Sequence, residues 1–478
     1  MQSDVTNPQR GRRLLGDTLL FGISSFGSRI LLLLLTPLYT SLLTKAEYGT
    51  ADLLQITITF LYPLLTLATA DAAMRFAMDK AVRREAVLGN ALLFVLLASL
   101  VTACTYPLIR AWSEELAAYF GYFLLLFTLF NLHNALSSFI KGCGQTVLFA
   151  VQGVLHTVAI IASNLILLLG FRMRLDGYLY SLAIGYALPI VVIFFGGRLW
   201  RYLALPRIDR PLLRAMLQYS LPLIPALLAW EINSHIDRYM IIGFLGVAEN
   251  GLYGVAHKIP TMLSAILTIF IQAWQLSAIE NHGQADEADY HTRVYQSLET
   301  VSLLGCMLLI LLNKPIARLL FAGEFFEAWH YVPMLVVSAM FSALSGFLAA
   351  AFRAEKKTTG LLLSVIAGAA VNILLNFALL PTIGLQGAAI ATAVSFLFVW
   401  LIRLFSVQRL VPIRLSVWRT VLTYLFFLAG VSILVFDLPY ALPLYGACCL
   451  MALLLRLPEL IALLRSLPQL LSLLRRHA

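Results

Sequence analysis

Residues 360–407 read GLLLSVIAGAAVNILLNFALLPTIGLQGAAIATAVSFLFVWLIRLFSV. Two apolar runs, 360–380 and 384–407, lie end to end here, and Arg403 is the only charge in the stretch. Each run has about the length of a spanning helix, which takes roughly 20 apolar residues. Working outward, twelve more such runs appear, at about 14–38, 50–73, 86–109, 116–140, 147–170, 177–197, 216–244, 251–279, 296–320, 330–352, 417–436 and 440–455. In lipid a backbone polar group has to be paired within the protein, so helices are the expected form. The pattern predicts an all-α polytopic membrane protein with about 14 transmembrane helices.

Composition agrees. The 478 residues are 60% hydrophobic and only 12% charged, against about 25% charged in soluble domains. The longest polar loops, about 198–215 and 280–295, are too short for a separate catalytic domain. The net charge of +10 would suggest nucleic-acid binding in a soluble chain, but its distribution points to topology. With the N-terminus placed inside, the inner segments carry 24 Lys and Arg and the outer segments 6. That asymmetry follows the positive-inside rule and predicts cytoplasmic N- and C-termini, with no nucleic-acid partner. The run from Leu14 to Leu38 is too long for a signal-peptide core and is expected to be an uncleaved first span. Cys104, Cys143, Cys306, Cys448 and Cys449 show no CxxC spacing and read as small apolar residues.

The chain carries signs of duplication. Ala46, Glu47 and Gly49 match Ala248, Glu249 and Gly251 at a constant offset of 202. FIKGCGQT from Phe139 resembles FRAEKKTT from Phe352, and DGYLYSLAIGYAL from Asp176 echoes QGAAIATAVSFLF from Gln386. The expectation is two pseudo-symmetric six-helix bundles, 14–197 and 212–407, related by an axis along the membrane normal. Two extra helices at 417–455 follow, then an amphipathic cytoplasmic tail at 456–478.

Charges inside apolar runs are costly, about 2.5–3.5 kcal/mol for an Arg at a helix centre on insertion scales. They usually face protein interior or water. Arg29 reads either as an anion ligand or as the partner of Asp71 or Glu231. Asp71 and Arg75 are four apart and share a helix face, so they read as a local pair or as coupling groups. Glu231, His235 and Arg238 line one face of the seventh run, with Asp237 about 120° away by helix geometry. That face reads as a cavity-lining stripe, with Arg238 a candidate substrate ligand and Glu231 or Asp237 able to exchange a proton or bind a cation, or as an internal charge network. Lys258, two turns into the eighth run, suits a phosphate group. Gln272, Trp274 and Gln275 suit a sugar. There is no P-loop and no HExxH, so neither an enzyme, nor a cofactor, nor a metal site is expected.

Arg29–Asp52, RILLLLLTPLYTSLLTKAEYGTAD, resembles the first helix and loop of bacterial polysaccharide flippases of the Wzx type. So does Asp237–Ile279, through its DRY, LG, GLY, KIP and QAW elements. Those exporters share a superfamily with multidrug and toxic-compound extrusion transporters and the lipid II flippase. The resemblance implies a fourteen-helix carrier with two lobes around a cavity. Its substrate would be an undecaprenyl-pyrophosphate-linked oligosaccharide, moved by alternating access. Arg29 and Lys258 are the implied pyrophosphate ligands. Membrane lipid, a polysaccharide polymerase and export machinery are the implied partners. A cation antiporter of the same superfamily is the alternative, and a membrane-embedded glycosyltransferase or ligase is a more distant one.

Overall fold

The computed structural model describes residues 30–79, 81–112, 114–203, 209–280, 287–354, 359–410 and 413–462. Among them every regular element is helical. Ten helices are long and apolar enough to cross a membrane, and a bent pair makes an eleventh candidate span. Apolar side chains such as Val147, Leu319 and Phe405 stand exposed. In water that would be a liability, whereas in a bilayer it is the lipid-facing surface. The chain divides into two compact units, one ending at Gly254 and the other beginning at Val255.

The first unit contains α1 (Thr36–Leu42), α2 (Lys45–Leu65), α3 (Thr69–Ala77), α4 (Arg84–Cys104), α5 (Phe120–Gly142), α6 (Thr146–Asn164), α7 (Arg174–Gly196), α8 (Ile224–Leu245) and most of α9 (Val247–Ala256). Helix α5 is central: α3, α4 and α7 pack on it, α6 packs on α7, and α8 packs on α2. Ala72, Ala73, Val87, Leu88, Ala91, Phe139 and Ile140 form the core beneath α3. Close approach depends on small residues, as in other membrane helix pairs. A Cβ on Gly142 would stand 2.4 Å from the Met74 carbonyl oxygen.

The run 50–73 is not one straight helix. Helices α2 and α3 meet at 63°. Leu67 and Ala68 between them have φ near +50°, a left-handed conformation that stops a helix. The Thr66 hydroxyl donates to the Tyr62 carbonyl at 2.7 Å, and the Thr69 hydroxyl to the Thr66 carbonyl at 2.9 Å. Both carbonyls also accept a backbone N–H, from Thr66 and from Thr69, so the hydroxyls add a second bond to each at the corner.

The second unit contains α10 (Lys258–Glu280), α11 (Glu287–Leu311), α12 (Val332–Ala354), α13 (Thr359–Ile383), α14 (Leu385–Val407), α15 (Val417–Val435) and α16 (Ala441–Leu455). Helix α12 is its core element, with Leu335, Val336, Phe341, Leu344 and Phe347 all buried against α10 and α14. Arg403, the charge in the opening stretch, is buried in α14. Its guanidinium donates to the Ser364 hydroxyl and to the Ser345 carbonyl, each at 2.9 Å. The run 251–279 is also broken, because α9 ends at Ala256 and α10 begins at Lys258. Pro260 explains the break: its ring opposes the carbonyl four residues back, at Ala256, and it offers no N–H. The tail lies outside the described residues beyond residue 462.

One buried ion pair fastens the last two helices to the rest of this unit. Arg456, directly after α16, meets Glu299 of α11 through both terminal nitrogens, each at 2.7 Å. The Tyr424 hydroxyl of α15 donates to the same carboxylate at 2.8 Å, and Arg456 also donates to the Thr420 hydroxyl at 3.1 Å. Both charges are almost wholly enclosed.

Candidate functional site

The duplicated motifs meet in the first unit. Thr44 opens α2 with a capping box: its hydroxyl accepts from the Glu47 N–H, and the Glu47 carboxylate accepts from the Thr44 N–H at 2.8 Å. Gly246, at φ +99°, closes α8 and lets α9 start at once. Helices α2 and α9 then cross at their glycines. A Cβ on Gly49 would lie 2.0 Å from the Val247 carbonyl oxygen, and one on Gly251 would lie 2.0 Å from the Lys45 carbonyl oxygen. The two contacts are related by the same offset of 202 that relates the motifs. The Asn250 amide donates across the crossing to the Gly49 carbonyl at 3.1 Å.

No side chain fits there without moving backbone. Gly49→Ala and Gly251→Ala are each expected to destabilise the crossing by about 1–3 kcal/mol, the usual cost of overpacking. The melting temperature of the purified protein should fall in both. An unchanged melting temperature for both variants would mean the crossing is looser than described.

Below the glycines lies a buried charge cluster. Arg238 of α8 forms an ion pair with Asp52 of α2. Asn250 donates to the same carboxylate at 3.3 Å. The guanidinium lies over the Tyr253 ring, 5.2 Å from its centroid. The Tyr253 hydroxyl donates to Asp237 at 2.8 Å. Gly254 faces Asp52, Tyr48 and Arg238, and a Cβ would come within 3.3 Å of all three. Along the same helices, Tyr239 donates to Thr57 at 3.0 Å. Further along, Gln55 donates to the Tyr178 hydroxyl at 3.2 Å, beside the packed rings of Tyr39, Tyr48 and Tyr178.

The other predicted residues are placed as follows. His235 and Glu231, one turn apart on α8, approach to 3.8 Å, both half-buried. Asp71 accepts from the Tyr62 hydroxyl at 3.2 Å, and Arg75 on the same helix is exposed, so the local pair read from their spacing is not formed. Lys258 is the first residue of α10 and half-buried, rather than two turns inside a helix. Gln272 and Gln275 lie on α10, but their side chains are outside the described residues, and Arg29 is outside them altogether. Among the described residues no three His, Cys, Asp or Glu are grouped to hold a metal.

Two features escaped the sequence reading. Asp52 sits at the margin of an apolar run, where a charge draws no notice, yet it is the partner of Arg238. The histidines look scattered along the chain, yet His133 and His156 stack with centroids 5.6 Å apart. His133 bonds the Gln152 side-chain oxygen Oε1 at 2.7 Å and His156 the Gly185 backbone carbonyl at 2.6 Å.

No curated protein matches the chain by sequence. Among solved structures the fold is similar to that of the lipid II flippase MurJ in an inward closed conformation. The TM-score is 0.68 at 15% identity, over 94% of this chain and 99% of that one. A multidrug resistance MATE family transporter of the MOP superfamily is similar in its inward-facing conformation, with TM-score 0.63 at 14% identity, over 80% of this chain and 95% of that one. An outward-facing MATE transporter of that superfamily gives 0.57 at 16% identity, over 82% and 95%. At these identities the likeness establishes a shared fold, a multi-pass all-helical one. The model of the family described as polysaccharide biosynthesis protein matches residues 14–275. That span is more than half of the chain and includes both glycine motifs, Asp52, Asp237 and Arg238, and on that match the chain belongs to the polysaccharide biosynthesis protein family.

Proposed function

We propose that the chain is a flippase and not an enzyme. Its substrate is an undecaprenyl-pyrophosphate-linked oligosaccharide repeat unit, carried across the bacterial cytoplasmic membrane for polysaccharide biosynthesis. The observation that carries this reading is the family match over residues 14–275, and the MurJ-like fold over nearly the whole chain supports it. The charged, sugar-bearing head of such a lipid cannot cross hydrocarbon unaided. A carrier shields the head, leaves the tail in lipid, and exposes its site alternately to the two sides. Arg29 and Lys258 would hold the pyrophosphate, and Gln272 and Gln275 the glycan. Arg238 is already answered by Asp52, so its part is to hold α2 against α8. The outer ends of the repeats would part at Gly49 and Gly251 when the site opens outward. With both termini inside, as the Lys and Arg distribution favours, this crossing lies on the outer side. A polysaccharide polymerase would take the delivered glycan.

In a strain without this gene, lipid-linked repeat units are expected to accumulate on the inner leaflet while surface polysaccharide is lost. Mass spectrometry of extracted polyprenyl lipids and surface-glycan staining test this. Unchanged surface glycan and no accumulation would sink the assignment.

A second reading, a multidrug or metabolite cation antiporter, has one observation in its favour. In the cluster on α2 and α8, the carboxylates of Asp52, Asp237 and Glu231 outnumber the guanidinium of Arg238. Acidic surroundings suit a cationic substrate. Energised ethidium efflux that depends on the chain, without any effect on glycan lipids, would decide for the antiporter.

A further inference from the structure

The second unit has a cleft that none of the residues above uses. It has a volume of about 480 Å³ and lies between the segment after α11 and the turn that joins α15 to α16. Its size falls in the range of small-molecule sites. Apolar residues of α11, α15 and α16 form part of its lining, and six residues bring polar or aromatic character: Asn313, Lys314, Trp329, His330, Asp437 and Tyr440. The Lys and Arg distribution puts both loops on the outer side of the membrane.

The hydrogen-bonding groups are unevenly supplied. Asn313 is 3% exposed, and its amide donates to the Trp329 carbonyl at 2.7 Å. Its side-chain oxygen is buried and accepts no hydrogen bond among the described residues. Buried acceptors are rarely left so, and each calls for an explanation. His330 bonds the Glu327 carbonyl through Nδ1 at 3.0 Å. A carbonyl only accepts, so Nδ1 carries the proton and Nε2 is left as an acceptor. The exposed Asp437 carboxylate adds further acceptors. Lys314 and the Tyr440 hydroxyl are the donors, and the Lys314 ammonium lies 4.6 Å from the centroid of Trp329.

The aromatic part is equally specific. Tyr440 is 82% exposed and held in the left-handed region at φ +59°, as Asp437 is at φ +47°. Asp adopts that conformation readily, whereas a bulky residue such as Tyr does so where the surroundings impose it. Trp329 is half-buried, with the His330 ring 3.9 Å from its own.

We propose that this cleft binds a pyranose ring of a glycan at the outer face of the protein. The C–H face of a pyranose packs against the negative face of an aromatic ring, here Tyr440, which lines the cleft as Trp329 does. Sugar hydroxyls donate to Asn313 Oδ1, Asp437 and His330 Nε2, and accept from Lys314. A lipid phosphate is the poorer match, because Asp437 and the unsatisfied Asn313 oxygen would both repel it. The choice of a glycan rests on the flippase reading, and the outer face on the Lys and Arg distribution. The cleft would then hold the delivered sugar for the reaction that consumes it, a glycosyl transfer on the outer surface.

The test uses the full chain in lipid nanodiscs and saturation-transfer NMR. The probes are the methyl glycosides of a hexose, an N-acetylhexosamine and a hexuronic acid, with glycerol phosphate as the headgroup probe. At least one glycoside should bind at millimolar concentration, and Tyr440→Ala and Asp437→Ala should each weaken it about tenfold or more. Tyr440 and Asp437 are exposed, so both variants should fold; Asn313→Leu is read only if its melting temperature is retained. Binding of no glycoside, equal binding by wild type and both variants, or saturation of glycerol phosphate alone overturns the proposal. The assay needs no transport, so the two ideas fail separately. Glycoside binding without lipid-glycan flipping removes only the flippase reading, and flipping without glycoside binding removes only the cleft.

Discussion

Arg238→Ala is expected to remove about 3–5 kcal/mol of stability, the usual cost of taking one partner from a buried ion pair. Asp52 would be left, among the described residues, with only the Asn250 amide donating to it, and the Tyr253 ring would lose the guanidinium above it. Folded protein in the membrane should drop steeply. Neutralising both partners, Asp52→Asn with Arg238→Gln, should restore part of the yield, because the Asp52 carboxylate is then no longer left as a charge without its guanidinium. Size-exclusion profiles of detergent extracts after heating measure both. A single variant that stays at wild-type stability would mean that Arg238 is free to serve the substrate, contrary to its role here as a clamp between α2 and α8.

A loss of similar size, about 3–5 kcal/mol, is expected for Arg456→Ala. Among the described residues Glu299 would keep only the Tyr424 hydroxyl as its hydrogen-bond partner, and α15 and α16 would lose their charged tie to α11. Replacing both charges by apolar residues, Glu299→Leu with Arg456→Met, should be close to neutral, since buried pairs are often no better than well-packed apolar substitutes. Limited proteolysis reports the difference: the single variant should be cut between α14 and α15 and the double variant should resist. Equal resistance of the single variant would show that packing alone holds the last two helices.

The span pattern was legible because hydropathy is a local property, and lipid imposes it on nearly every helix. The breaks were less legible. Leu67 and Ala68 are ordinary residues that turn left-handed under tertiary constraint, and nothing in their identity announces it. The Pro260 signal was present, but it was outweighed by the apolar run around it. At the site, the repeated Ala-Glu-x-Gly motif was visible, whereas its packing against its own copy through Gly49 and Gly251 was not. Charge pairing was the hardest part. Arg238 and Asp52 are 186 residues apart in sequence, and Arg456 and Glu299 are 157 apart. Sequence proximity suggested Asp71 with Arg75 instead, and the fold gives Asp71 a tyrosine hydroxyl. Glu299 went unnoticed because it stands near the polar margin of its run, where a charge carries little cost.

The most direct measurement is translocation itself. Proteoliposomes containing the full chain are loaded with an undecaprenyl-pyrophosphate-linked oligosaccharide labelled with a fluorophore on the sugar. A membrane-impermeant quencher then reports which leaflet holds the label. A flippase predicts that the quenchable fraction changes with time only in vesicles that contain the protein, and that ethidium does not compete. If the label keeps its starting distribution for every lipid-linked glycan tried, while ethidium moves against a proton or sodium gradient, the flippase assignment is contradicted and the chain is a cation antiporter.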